Sequence, residues 1–560
     1  MLTKPGDYIV RCISAGDSCY IRRVVLYCSG DAHADGTIDS RDLVATKKVV
    51  LNRKVLTKAG MEGADVDRND IVNDVDVESV QDHLIGLKEI KPVRDSYLSY
   101  KEDVMPIGGY YGPYQSTVIT DIRGFKTYDC LNDDIYAKLQ DIGINVINHT
   151  VHNYLTDKEE VMKNLQLAEK YGIGMYVTDS RFNETRDDEL LAYFLADYAH
   201  YDSMKGVFQV DEPMTSYYGW KHYEEGTNAK LESSAKRATM LNNYSNLSAF
   251  INLNPLSSTT GMVKDTAAYS TLYRQYIDDY VATCDAKYLS FDFYVFDELT
   301  KQQEYATKAR YFENLAIMRE KSLQYNIPYW TYVQAGAWWN SHGTEMAQIK
   351  EEKLWPTSAQ MMWNINTALA YGTKGIQYFP IVQPYYFAYQ AGGGYQSRNG
   401  LIDVFGNVTR WGEAAKVANE WIAVVDDVLM NATSKSVLWT GYDVEDVLGK
   451  TMTSDQDVLE SITTESYVHQ NYINLGGISI PTTKETRYRS AMVGVFEYQD
   501  KTAYYVVNYD TDANRTVNLN WKGPTSYVCH VQNSQTEIKE TANTCRISLQ
   551  AGNAALIIVE

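Results

Sequence analysis

Between residues 104 and 430 the chain alternates short, continuous apolar runs with longer stretches whose apolar positions recur every three or four residues. The short runs are "VMPIGGYYG", "INVINHT", "IGMYVTD", "GVFQVDEP", "LSAFINLNP", "KYLSFDFYVF", "IPYWTYVQA" and "GIQYFPIV". A strand buried on both faces carries apolar side chains on both, so such runs predict a parallel sheet covered by helices. Residues 157–171, 303–325 and 355–373 are among the covering helices. Eight strand–helix units over roughly 330 residues suit a closed α/β architecture, the (β/α)8 TIM barrel, better than an open sheet. No Gly-x-Gly-x-x-Gly and no phosphate loop follows a run, so nucleotide-binding open sheets lose support.

The pattern changes on either side of this region. After a helix over 413–430, "SAMVGVFEYQD", "TAYYVVNYD", "RTVNLNW", "SYVCHVQN" and "CRISLQAGNAALIIVE" alternate with period two. That predicts a C-terminal antiparallel β-sandwich. Near the start, "GDYIVRC" and "CYIRRVVLYC" predict two short strands. Between them and the barrel lie two acidic segments, "DAHADGTIDSRD" at 31–42 and "DVDRNDIVNDVD" at 65–76, each followed by a helical stretch. The expected organisation is a strand-like segment at 1–26, ending a preceding module, then a small α-helical module at 27–92. A barrel at 104–432 and a sandwich at 436–560 follow.

The acidic segments have the logic of calcium loops, in which a hard cation collects several oxygens and a backbone carbonyl supplies position 7. At positions 1, 3, 5, 7, 9 and 12 the first places Asp31, His33, Asp35, Thr37, Asp39 and Asp42. The second places Asp65, Asp67, Asn69, Ile71, Asn73 and Asp76. The pair resembles a type I dockerin, the module that plugs enzymes into cohesin scaffolds in anaerobic bacteria. The resemblance implies structural calcium and a cohesin partner. The chain departs from that pattern at His33, where Asn or Asp is usual, and at Asp70, where Gly eases the turn. A degenerate, purely intramolecular dockerin-like module is the alternative.

Charge narrows the partners. A net charge of −20 argues against nucleic acid and anionic membranes. With 46 Tyr and 10 Trp the chain is rich in platforms for sugar rings, although such residues also fill barrels and interfaces. No window approaches the roughly 18 apolar residues of a membrane span. The first residues, "MLTKPGDYIVRC", lack the apolar core of a signal peptide. The expected location is extracellular, secreted from a bacterium, with the signal absent from this chain. The seven cysteines have no metal-type spacing, and Cys529 with Cys545 is the most plausible bridge.

Chemistry in such barrels gathers at the C-terminal ends of the strands. Those ends carry Asn148 and His149, Asp179, Asp211 and Glu212, Asn252 and Asn254, Asp292 and Tyr294, then Gln334 and Trp338. A mouth rich in carboxylates, amides and aromatics suits glycoside hydrolysis, which needs two carboxyl groups, one of them protonated. No zinc spacing and no Gly-x-Ser-x-Gly elbow is present, and no cofactor is expected for catalysis. The plainer reading of "VDEP" is a strand-to-helix turn with Asp211 as the cap.

"VDEP" looks like the Asn-Glu-Pro that ends the fourth strand in the large retaining glycoside-hydrolase clan. "PTSAQMMWNINTALAYGTKGIQYF" at 356–379 resembles the seventh helix and eighth strand of its β-galactosidase-like members. The resemblance implies a glycosidase with Glu212 as general acid/base. Asn148, His149, Tyr294, Gln334 and Trp338 are the expected substrate contacts. Asp211 replaces the usual Asn, and Gln334 stands where the nucleophilic Glu would end the seventh strand. Asp292 is the expected second carboxylate, with Glu345 a weaker candidate. A resemblance to α-galactosidase-type clans gives another assignment, Asp211 as nucleophile and Asp292 as acid. The rival functions are a carbohydrate-binding pseudoenzyme, motivated by Gln334, and a scaffold protein defined by its dockerin-like module.

Overall fold

The computed structural model describes residues 6–13, 19–51, 53–54, 56–66, 72–88, 90, 98–99, 104–115, 129–148, 158–179, 181–182, 188–213, 247–256, 266–284, 286–296, 301–336, 339–341, 349–351, 356–383, 400–403, 405–443, 452–455, 457–475, 478–534 and 537–560. The chain divides into two compact units, Met1–Glu102 and Asp103–Glu560.

In the first unit, strands Gly6–Ile13 and Cys19–Leu26 form an antiparallel hairpin, and Leu98–Ser99 adds a third strand against Val24 and Val25. Three helices follow the hairpin, Ser40–Val50, Lys58–Ala64 and Asp74–Leu84. The first and third begin with matching capping boxes, Asp39 with Asp42 and Asn73 with Asp76. Each box satisfies backbone N–H groups that the first turn leaves without partners. Ala32, Ala45, Leu56 and Ala64 form a small core between the first loop and the helices.

In the second unit each of the eight apolar runs supplies one strand. They are β1 (Ile107–Gly109), β2 (Val146–Ile147), β3 (Gly174–Val177), β4 (Met204–Asp211), β5 (Ser248–Asn252), β6 (Leu289–Phe291), β7 (Tyr329–Gln334) and β8 (Ile376–Phe379). All neighbouring pairs are parallel, in the order β5-β4-β3-β2-β1-β8-β7-β6. A parallel bridge between Leu253 and Phe291, just beyond β5 and at the end of β6, closes the ring. The sequence is therefore a barrel with its strand ends on one rim. Gly206 lets β4 approach β5, because a Cβ there would lie 1.8 Å from the Ser248 carbonyl oxygen.

Among the described residues, seven of the nine C-terminal strands form one continuous antiparallel sheet, where a two-sheet sandwich was expected, and Ser466–Leu475 with Ile478–Tyr488 form a separate hairpin. The long strand Arg515–Val531 accounts for the difference. Its first half pairs with Leu459–Thr464, its second half with Ala554–Val559, and its register with Ile538–Leu549 breaks between Asn520 and Thr525. One strand thus serves two regions of the sheet. One apolar set, including Tyr504, Val506, Leu519, Trp521 and Ile547, forms a core of its own. The other, including Met492, Tyr505 and Leu556, merges with the barrel core through Trp363 and Trp421. Cys529 and Cys545 lie in the sheet's own core as free thiols, not the expected bridge.

Candidate active site

A one-residue irregularity turns an acid into the barrel. On β4, Phe208 packs inside the barrel with Val146, Tyr176, Phe250, Tyr288 and Trp330. On β5, Phe250 shares that interior and Ile251 and Leu253 belong to the outer core beneath the helices, as strand alternation requires. The register of β4 skips one position between Phe208 and Val210, leaving Val210 opposite Ile251 and Asp211 opposite Asn252. A bulge exchanges the faces of every residue beyond it. Val210 therefore packs against the outer core and Asp211 faces inward, where Asn252 Nδ2 donates to its Oδ1 at 3.1 Å.

Glu212 leaves the strand with φ of 43°, in the left-handed region, while its N–H donates to the Asn252 carbonyl at 2.9 Å. A non-glycine residue in that region costs about 1–2 kcal/mol. The turn brings two successive acidic side chains to one cavity, where an extended strand would send them to opposite faces. β6 supplies the third acid by plain alternation. Leu289, Phe291 and Phe293 join the outer core, Ser290 Oγ donates to Asn252 Oδ1 at 2.9 Å, and Asn252 Nδ2 donates to Asp292 Oδ1 at 2.9 Å.

The cavity has a volume of about 210 Å³ and holds Asp211, Glu212, Asn252 and Asp292 among Tyr110, Tyr111, Tyr294, Tyr332 and Phe379. Burial, and then the neighbouring Asp211 carboxylate, push the Glu212 carboxyl up to about 7, while a hydrogen bond with Asp292 pulls the other way. Burial, then the charges of Glu212 and Asp211, raise Asp292 well above the usual carboxylate range against the Asn252 amide. Glu212 and Asp292 together hold a proton that isolated carboxylates would have released. A proton donor beside carboxylates, ringed by aromatic faces, is equipped for acid–base chemistry on a ligand with both apolar faces and polar edges.

The structure thus gathers Asp211, Glu212, Asp292 and Tyr294 from the expected site. Asn148 and Gln334 are not brought to the cavity lining. Asn148 is buried in the barrel and donates to Gln377 Oε1. Gln334 Oε1 accepts from the Phe296 N–H at 3.2 Å, and its Nε2 donates to the Phe296 and Gly336 carbonyls at 3.3 Å. It ties the end of β7 to the segment after β6. Asp179 is held by Arg181 and Tyr198. His149, Trp338 and Glu345 lie outside the described residues. Tyr110, Tyr111, Tyr332 and Phe379 were not singled out from the sequence. The strand-end rule would have found Tyr110, Tyr111 and Phe379 had it been applied to aromatic residues as well as polar ones.

No protein-family profile matches the sequence, and no curated protein matches it. Among solved structures the chain is similar to a β-galactosidase from the psychrophilic Marinomonas ef1, at 10% identity and a TM-score of 0.37 over 58% of this chain. It spans 62% of that enzyme's length. A β-galactosidase from Bacillus circulans sp. alkalophilus matches at 9% identity and a TM-score of 0.41, covering 82% of this chain and 100% of the other. A GH27 β-L-arabinopyranosidase from Geobacillus stearothermophilus matches at 8% identity and a TM-score of 0.39, covering 82% and 96%. Similarity this low carries no argument about activity. The barrel rests on its own strand pairing, and the site on its own geometry.

In the N-terminal unit the first acidic loop is closed by its own carboxylates. Asp31 is fully buried and accepts the N–H groups of Asp35 at 3.2 Å and Gly36 at 2.7 Å. Asp42, also buried, accepts those of His33 at 2.9 Å and Asp39 at 2.7 Å. Helix Lys58–Ala64 abuts the loop so closely that a Cβ on Gly63 would lie 2.2 Å from the Asp31 carbonyl oxygen. Burial raises the Asp31 carboxyl despite its two amide donors, and the Asp42 and Asp35 charges add to the rise. A buried pair of carboxylates in one tight loop fits a divalent cation. The fit is partial, because Asp35 and Asp39 are drawn to Arg41 at 2.8 and 2.6 Å. Among the described residues no three acidic, His or Cys side chains converge to hold a metal. In the second loop Asp76 accepts the N–H groups of Val66 at 2.7 Å and Asn73 at 2.9 Å. Asp65, next to Val66 in sequence, is buried, and Asp67, Asn69 and Ile71 lie outside the described residues.

Proposed function

We propose that the chain is a glycoside hydrolase that cleaves a glycosidic bond at the barrel mouth, with Glu212 as proton donor. One observation carries the reading: an aromatic-lined cavity at the strand ends gathers three carboxyl groups, and burial with a neighbouring carboxylate pushes that of Glu212 upward. A carboxylic acid held neutral near pH 7 beside an ionised one is the division of labour that glycoside hydrolysis needs. On substrate binding the glycosidic oxygen takes the place of Asp292 as hydrogen-bond partner of Glu212, which then carries the proton of the pair. The proton passes to that oxygen as its bond to the anomeric carbon breaks. A carboxylate, Asp292 or Asp211, meets the positive charge developing on the sugar. Water then completes the cleavage, losing a proton to Glu212.

The two candidates for that carboxylate differ in spacing. Glu212 and Asp292 are hydrogen-bonded to each other, closer than the ~5–5.5 Å of a retaining pair, so a bound sugar has to part them. The Asn252 amide nitrogen donates to both Asp211, at 3.1 Å, and Asp292, at 2.9 Å. Two acceptors on separate hydrogens of one planar amide are about 5 Å apart, the retaining separation. This favours, as a second reading, Asp211 as nucleophile and the Asp292–Glu212 pair as acid. A panel of aryl-glycosides and polysaccharides tests the function, with the first-formed anomer read by proton NMR. Cleavage with retention supports the second reading and inversion removes it. Sugar binding without cleavage of any substrate would leave a binding pseudoenzyme.

The N-terminal unit supports a dockerin-like role, with Asp31 and Asp42 holding calcium and a cohesin scaffold as partner. No helix among the described residues is long and apolar enough to cross a membrane. Secretion is the setting in which a calcium module and a polysaccharide substrate meet. A cohesin pull-down with and without chelator tests the partner.

A further inference from the structure

Asn252 touches all three acids. Its carbonyl accepts the Glu212 N–H at 2.9 Å, and its side-chain nitrogen donates to Asp211 at 3.1 Å and Asp292 at 2.9 Å. Its side-chain oxygen accepts the Ser290 hydroxyl at 2.9 Å. A primary amide has two N–H groups and one carbonyl oxygen, so every kind of bond the side chain makes is in use. Asn252 and Ser290 are 2% and 0% exposed, so the amide itself is shielded, while Asp211 opens to solvent at the mouth.

The two carboxyl oxygens decide which way the amide points, and the Ser290 hydroxyl, able to donate or accept, holds it there by donating to the amide oxygen. A flipped amide would aim its oxygen at two carboxylates and present its NH₂ group to the hydroxyl. The observed orientation gives both side-chain hydrogens to Asp211 and Asp292. A donor favours the ionised form of the carboxyl that accepts it. Like charges this close cannot all ionise together, so the cluster retains a proton, which the hydrogen-bonded Glu212–Asp292 pair holds.

We infer that Asn252, locked by Ser290, is a positioning residue that holds the Asp211 and Asp292 carboxyl groups at fixed spacing and keeps the proton of the cluster within the Glu212–Asp292 pair. Its catalytic meaning rests on the hydrolase reading, whereas the placement of the proton does not require turnover. The Asn sits one strand from Glu212 and one strand from Asp292, a place from which a single side chain can reach both.

The test uses the full chain with carbon-13-labelled Asp and Glu carboxyl groups, as wild type, Asn252→Ala, Ser290→Ala, Ser290→Thr and the Asn252→Ala/Ser290→Ala double variant. In Asn252→Ala, Asp211 and Asp292 should titrate about one pH unit higher and Glu212 lower. On a substrate the wild type cleaves, the acid limb of kcat/KM should move up with them. kcat should fall about 10- to 100-fold with KM nearly unchanged. Ser290→Ala should show part of this shift, Ser290→Thr should restore it, and the double variant should match Asn252→Ala, because Ser290 acts through Asn252. Identical carboxyl titrations in wild type and a folded Asn252→Ala would overturn the inference, as would losses that multiply in the double variant. If Asn252→Ala does not fold, the Ser290→Ala and Ser290→Thr pair decides by the same titration. A shifted titration in a protein that cleaves no glycoside would uphold the inference and refute the hydrolase reading.

Discussion

Glu212 combines a proton-holding environment with a backbone conformation that costs free energy, and both have measurable consequences. Its carboxyl is raised from an ordinary 4.5 to about 7 on folding. A group raised in this way contributes stability that is fully present below the unfolded value, near 4.5. The contribution is lost as the pH climbs to about 7, because the folded state binds the proton more tightly. Glu212→Gln removes the ionisation. Calorimetry should find this variant close to wild type at pH 4 and more stable than wild type at pH 8. A lead that is the same at both pH values would show that Glu212 titrates normally. The same value predicts that kcat/KM falls about tenfold per pH unit above about 7, as the donor loses its proton.

At the scale of strands and helices, the barrel was legible and the aim of its side chains was not. All eight apolar runs became strands because a strand buried on both faces writes a continuous apolar word, and Gly206 and the aromatic residues sit where that word requires. The bulge in β4 left no such trace. A strand end can carry a polar residue on either face, so "GVFQVDEP" does not say whether Gln209 or Val210 lies opposite Ile251. Asp211 and Glu212 could be read as strand-end acids, but their common cavity depends on that bulge and on the left-handed turn. The clamp by Asn252 depends on which strands adjoin, which no local pattern encodes. Deleting Gln209 removes the extra residue, so plain alternation should keep Phe208 and Asp211 inward and Val210 outward. Circular dichroism should still report a barrel, and cleavage of the wild-type substrate should persist. A folded deletion variant that loses at least ~10²-fold in turnover would show that the extra residue does more than set which way Asp211 faces.

Over the whole molecule, the barrel and the C-terminal sheet share one core and one polar network. Trp421 Nε1 donates to the Tyr505 hydroxyl at 2.8 Å, which donates to Asn366 Oδ1 at 2.7 Å. Asn366 Nδ2 in turn donates to Gln532 Oε1 at 3.0 Å and the Gly552 carbonyl at 2.8 Å. Barrel and sheet should therefore unfold in one transition. Tyr505→Phe, which leaves a buried N–H and a buried amide oxygen without their partner, should cost about 1–3 kcal/mol of that transition. The N-terminal unit has its own core, and the calcium binding proposed for it would raise the stability of its folded form with calcium concentration. A chelator should lower its melting and leave the larger transition nearly unchanged; equal melting of this unit in calcium and in chelator would remove the calcium proposal. The central claim, that the barrel-mouth acids cleave a glycosidic bond with Glu212 as proton donor, is tested most directly by comparing the turnover of wild type and Glu212→Gln on one glycoside the wild type cleaves. The account predicts a loss of at least ~10²-fold with the melting transition retained. Undiminished turnover by Glu212→Gln would contradict it.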